Sequence, residues 1–318
     1  MEKVNRTLVT EFVFLRFSNS PHLQVLFFSL FLLVYLLSLV GNALIVFLVA
    51  LDGRFHTPMY FFICNLSLVE LWYTIVTLPK MLANFLSAQG VISVPSCITQ
   101  YYFFFSLDAT ELFILTTMAF DRYAAIFHPL HYPLLFSPQT CATLAGICWF
   151  VGFLCPMFHS FLLAQISFCT PNQINHFCDA DHIFHLSCID TYVIQAVGYA
   201  FSTASILGAL AFTMASYAQI LATILAMALA AAQRKAFSTY TAQLSVVTIY
   251  FGILIFMYVR PAVKYESNIN KIVAIFYSVI IPLLNLLIYT LCHKDVKESL
   301  KVLVSRIQRI CQASKQSR

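Results

Sequence analysis

The chain has 318 residues, 60% of them apolar and 10% charged, with a formal net charge of +5 and a mean hydropathy of +0.83. An average soluble domain is about 25% charged, so this chain lacks the charge to cover a water-facing surface; a soluble globule, a disordered chain, a collagen and a coiled coil are excluded. At about 20 apolar residues per transmembrane helix, seven or eight spans with short loops take up the length, and the fold class is all-α membrane.

Residues 1–22 are polar and mixed, without the basic stretch and small-residue cleavage site of a signal peptide. The first span is therefore expected to act as its own insertion signal. Asn5-Arg6-Thr7 is a glycosylation acceptor, usable at Asn5 only if this end faces outward. Long apolar runs follow at 25–50, 57–86, 96–126, 140–164, 190–228, 237–259 and 269–291, separated by polar breaks such as Leu51-Asp52-Gly53-Arg54 and Ser137-Pro138-Gln139-Thr140. The second run carries Glu70 and Lys80, and Trp72 with Tyr73 suits an interfacial helix. Asn65-Leu66-Ser67 also fits the glycosylation pattern, but it lies within a span and is disregarded.

After the seventh run, His293 to Ile310 reads as an amphipathic helix, with Val296, Leu300, Leu303, Val304 and Ile307 on one face and lysines on the other. Of the 18 Lys and Arg residues, seven lie at or beyond Lys294: Lys294, Lys297, Lys301, Arg306, Arg309, Lys315 and Arg318. The positive-inside rule puts that end in the cytosol, against anionic lipid rather than nucleic acid. The expected organisation is an extracellular segment 1–24, a seven-helix bundle 25–291, and a cytoplasmic amphipathic helix and tail 292–318.

The ten cysteines divide by this topology. Cys64, Cys141, Cys148 and Cys155 fall in spans and act as small apolar fillers. Cys292 and Cys311 face the reducing cytosol, where Cys311 is a palmitoylation candidate or a plain thiol. Cys97, Cys169, Cys178 and Cys188 fall outside, an even set in an oxidising compartment; two disulfides are expected, and spacing alone leaves three pairings open. The loop from His176 to Cys188 is dense in His, Asp and Cys, but its spacing matches no standard zinc pattern, and no metal is expected there.

Charge inside the hydrocarbon is expensive, which marks each intramembrane acid as a functional candidate. The third run carries Asp108 and Glu111 ahead of Asp121-Arg122. At about 1.5 Å rise per residue, Glu111 lies roughly 16 Å and Asp108 roughly 21 Å outward of Arg122. Glu70 reaches a similar depth on the second span, with Asn42 and Asn285 in the inner halves of the first and seventh. Asn42, Glu70, Glu111 and Asn285 suit a bound sodium ion or a shared proton, or only interhelical hydrogen bonding.

In order along the chain, Gly41-Asn42, His56-Thr57-Pro58-Met59-Tyr60-Phe61-Phe62, Met118-Ala119-Phe120-Asp121-Arg122-Tyr123-Ala124-Ala125-Ile126, Ser216-Tyr217, Lys235-Ala236-Phe237-Ser238-Thr239 and Pro282-Leu283-Leu284-Asn285 resemble the signatures of the odorant receptors. These form the olfactory branch of rhodopsin-like class A G-protein-coupled receptors, and the general pattern is more similar to the tetrapod class II group. The resemblance covers essentially the whole chain. It implies seven spans and a C-terminal helix 8, no enzymatic activity, and disulfides Cys97–Cys178 and Cys169–Cys188. Departures are Glu70 where the family usually has Asp, Leu286 where it has proline, Tyr240, Ala242 and Gln243 where Cys, Ser and His are commoner, and an alanine-rich Leu221 to Gln233. Alanine favours helix, which predicts that spans five and six extend into the cytosol.

The resemblance further implies odorant binding in the outer half of the bundle between spans three, five, six and seven. The matching positions are Phe104, Phe105, Asp108, Phe201, Ser202, Ser205, Phe251, Leu254, Ile255 and Tyr258. It implies coupling through Asp121, Arg122, Tyr123, Tyr217 and Tyr289 to a stimulatory olfactory-type G protein that raises cyclic AMP, no cofactor beyond a candidate sodium ion, and residence in the plasma membrane of sensory cilia. On residues alone the main rival is a secondary transporter that uses Glu70, Asp108 and Glu111 as an ion or proton path; it requires an inverted repeat and broken helices, and neither is visible in the sequence.

Overall fold

The computed structural model describes residues 9–15, 20–87, 90–169, 172–174, 178, 183–184, 186–226, 244–245 and 247–256. Five helices among them are long and apolar enough to cross a membrane: α1 (Pro21–Leu51), α2 (Pro58–Leu86), α3 (Val94–Phe127), α5 (Pro138–Ala164) and α6 (Tyr192–Leu225). A short helix α4 (Tyr132–Leu135) lies between α3 and α5. Residues 247–254 are helical within the expected sixth span. The seventh span, the alanine-rich stretch from residue 227 onward, the expected helix 8 and Cys311 lie outside the described residues.

Four of the five spans begin the same way. Ser20, Thr57, Ser93 and Ser137 are extended, and each is followed by proline in the first turn. Proline disfavours helix in the residue before it and fits the first turn, where its missing N–H has no intrahelical partner in any case. Ser93 and Ser137 also accept from the backbone N–H of Ser96 and Thr140, as N-caps do. This is why α1 starts at Pro21, four residues before the apolar run begins.

The long α3 is central, packing on α2, α5 and α6. Its seam with α5 closes at Gly152, where an added Cβ would stand 2.8 Å from the backbone nitrogen of Thr110 and collide with the Thr110 hydroxyl. Small residues let transmembrane backbones approach in this way. Asn65, disregarded as a sugar acceptor, proves structural: its Oδ1 accepts from Trp149 Nε1 at 3.1 Å and links α2 to α5. Tyr73 is not interfacial but buried, with its ring centroid 5.1 Å from that of Phe104.

The N-terminal segment is more ordered than its polar composition suggests. Glu11–Phe14 forms β1, the central strand of a small sheet, antiparallel to β2 (Val91–Ser93) and parallel to β3 (Gln173–Ile174). Alternation turns Phe12 and Phe14 inward. Phe12 is fully buried and meets Phe168 edge-on at 5.2 Å. Lys80 at the end of α2 ties the sheet down: its Nζ donates to the Val91 carbonyl at 2.7 Å and lies 6.0 Å from the centre of the Phe14 ring. Disulfide Cys97–Cys178 ties the second outer loop to α3, and Cys169–Cys188 closes that loop on itself.

Candidate functional site

Beneath this cap, α3, α5 and α6 enclose a cavity of about 330 Å³, within the usual range for a small-molecule site. Tyr101, Phe105, Asp108 and Leu112 line it from α3, spaced four, three and four residues apart as one helical face requires. From α6 come Gln195, Gly198, Phe201, Ser202 and Ser205, and from α5 Cys155, Pro156, Phe158 and His159, with Phe184 of the outer loop above them. The wall is largely aromatic and aliphatic, with a few polar groups.

Asp108 is the outstanding polar group. It is only 8% exposed, and its Oδ1 has no hydrogen-bond partner among the described residues. Its own carbonyl accepts from the Tyr250 hydroxyl at 3.2 Å, which links α3 to the sixth span. A buried polar atom left unpaired is costly unless something fills the need. His159 is already engaged at both ring nitrogens: Nε2 lies 3.3 Å from the Ile194 carbonyl and Nδ1 lies 2.8 Å from the Tyr101 hydroxyl. A carbonyl only accepts, so the neutral ring with its proton on Nε2 satisfies both contacts, and Tyr101 donates to Nδ1. Gly198 makes room for this arrangement, because a Cβ there would stand 2.7 Å from Nε2.

Five of the ten expected ligand residues therefore meet in one cavity: Phe105, Asp108, Phe201, Ser202 and Ser205. Phe104, Phe251, Leu254 and Ile255 are not on its walls. Phe104 packs on Tyr73, Phe251 and Leu254 are each 1% exposed in the bundle core, and Ile255 packs against that core. Tyr258 lies outside the described residues. Span four contributes a wall that sequence reasoning missed. Counting one helical face outward from Asp108 reaches Phe105 and Tyr101, but nothing in the apolar run of α5 marks His159 as facing a cavity.

At the opposite end of α3, Arg122 Nη1 donates to the Tyr217 hydroxyl of α6 at 2.6 Å, and Tyr132 of α4 donates to Asp121 Oδ1 at 2.8 Å. Burial, and then the bond to Asp121, raises the Tyr132 hydroxyl above its ordinary range, so it remains a donor. Tyr123 stacks on Phe127 with centroids 4.8 Å apart; Tyr289 lies outside the described residues. In the neighbouring inner loop the Arg54 side chain donates to Asp52 and holds that carboxyl below its usual range. Between the two ends of the bundle, Glu70 and Glu111 are 1% and 2% exposed, and Asn42 Nδ2 donates to the Ser38 carbonyl at 3.0 Å. Asn285, Asn5 and the outer-loop residues His176, Asp179, Asp181, His182 and His185 lie outside the described residues.

The model of the olfactory receptor family matches residues 31–306. This chain belongs to that family. Human olfactory receptor 6Y1 is 44% identical over 302 residues, covering 95% of this chain and 93% of the relative. Human olfactory receptor 6Q1 is 47% identical over 299 residues, 93% of this chain and 94% of the relative. Mouse olfactory receptor 5AP2 is 43% identical over 302 residues, 95% of each. The mammalian relatives agree with the class II pattern. As a member of the olfactory receptor family the chain is a multi-pass seven-transmembrane G-protein-coupled receptor, in a family of odorant receptors and not of enzymes.

Proposed function

We propose that the cavity between α3, α5 and α6 holds a small, mostly hydrophobic volatile, and that Asp108 is its polar anchor. The supporting observation is the carboxyl buried with an unpaired oxygen in a largely apolar wall. Binding above is read out below, where Arg122 and Tyr217 cross from α3 to α6 and admit a stimulatory olfactory-type G protein that raises cyclic AMP. The N-terminus lies outside the cell, and the basic tail lies as helix 8 on the anionic inner leaflet of the ciliary plasma membrane.

The test is Asp108→Asn, which keeps the side-chain shape and removes both the charge and the acidic proton. Responses to agonists with a hydrogen-bonding head group are expected to fall about tenfold or more, the worth of one hydrogen bond to a charged group. Comparing an amine with an alcohol of the same skeleton separates an ion pair from a neutral hydrogen bond. An unchanged cyclic-AMP response across an odorant panel would remove Asp108 from the site.

Asn42, Glu70, Glu111 and Asn285 form a second proposed locus, for a sodium ion or a shared proton. Carboxyl and amide oxygens are the donors a hard cation takes, and the buried acids supply them. Sodium is expected to shift agonist potency in the wild type but not in Glu70→Gln; equal sodium dependence in both would exclude the ion.

A further inference from the structure

We propose that the cavity opens sideways into the bilayer between α5 and α6, and that ligand reaches Asp108 from the lipid and not from the water outside. The proposal rests on reading the cavity as the ligand site. The exposure of its lining residues carries it. Tyr101 and Phe184, which roof the cavity, are 3% and 5% exposed. Behind them lies a second apolar layer that includes Phe12, Phe168 and Ile174, under the three-stranded sheet. Phe158, Val197 and Phe201 line the same cavity, yet they are 65%, 54% and 53% exposed.

These three residues lie five to nine residues inside the outer ends of α5 and α6, roughly 8–14 Å below those ends at helical rise. At that depth an exposed apolar side chain faces hydrocarbon. The two helices make close contact at Gly198 and His159, and the His159–Ile194 bond latches the seam at the outer margin of the mouth. The three exposed residues of the rim, Phe158, Val197 and Phe201, are apolar. Such a rim favours a solute already dissolved in lipid and sets a high barrier for a fixed charge.

Cys155 is a native reporter, a free thiol on the cavity wall. The full-length receptor in phosphatidylcholine nanodiscs is treated with two methanethiosulfonates that share a reactive group. One carries a benzyl tail and the other a trimethylammonium tail, and mass spectrometry of the Cys155 peptide reads the labelling rate. The benzyl reagent is expected to label Cys155 on the order of 100-fold faster, the discrimination hydrocarbon makes against charge. Val197→Trp narrows the mouth and slows benzyl labelling; Phe158→Ala widens it and speeds labelling. Comparable rates for the two reagents, or a benzyl rate that neither variant changes, overturns the lateral route. Labelling needs no odorant, so the two readings fail separately. If agonist does not protect Cys155, the ligand-site reading falls while the portal stands.

Discussion

Asp108 and Phe104 sit one helical turn apart, and only Asp108 reaches the cavity. An acid inside an apolar run stands out because hydrocarbon penalises it, so Asp108, Glu111 and Arg122 were legible from sequence. Which aromatic of Phe103-Phe104-Phe105 faces the cavity was not, since neighbours on a helix point about 100° apart and the reference direction comes from packing. His159 was illegible for the same reason. The coupling end yields a residue-scale prediction. Tyr217→Phe removes the acceptor of Arg122 Nη1, and leaving a buried charged donor unpaired costs about 1–3 kcal/mol. Agonist-stimulated cyclic AMP is expected to fall severalfold while agonist binding is retained; an unchanged maximal response would show that Tyr217 does not position Arg122.

At the scale of elements, the apolar runs located the spans to within about four residues, while a Ser or Thr ahead of a first-turn proline sets where four of them start. The seams between helices carry no such local signal. Gly152 and Gly198 look alike in sequence, yet one touches backbone and the other a side chain. Gly152→Ala presses a methyl group into the Thr110 backbone, which has no rotamer to yield. A loss of about 1–3 kcal/mol is expected, as overpacking typically causes, read as a lower Tm of the purified receptor. Gly198→Ala meets the His159 ring first. Its cost is expected to vanish in the His159→Ala background, and a double mutant no better than Gly198→Ala alone would place the clash elsewhere. Strand β1 falls between these cases. Glu11-Phe12-Val13-Phe14 sits in a stretch that reads as polar and mixed, and a strand of four residues has no stability without its partners, which are supplied by distant loops.

For the whole molecule, composition and hydropathy were sufficient to place the chain in a bilayer, and motif order was sufficient to name its family. The packing of the outer cap was not readable, because it depends on contacts between the N-terminus and both outer loops. The two disulfides differ in what they close. Cys97–Cys178 spans 81 residues and Cys169–Cys188 spans 19. Loop-closure entropy assigns them about 4.5 and about 3 kcal/mol, so Cys97→Ser is expected to lower Tm and surface expression more than Cys169→Ser. Equal losses would show that the bridge within the second outer loop stabilises by local packing instead.

The position of β1 also sets an order of assembly. Val13 leaves the ribosome long before Val91 exists to pair with one of its edges, and longer still before Gln173 exists to pair with the other. Until then the strand has two open edges, the kind of backbone that chaperones and other chains bind. The segment made first is thus seated only after both of its partners have been made. Its seating reports that the N-terminus and the two loops that hold it have come together.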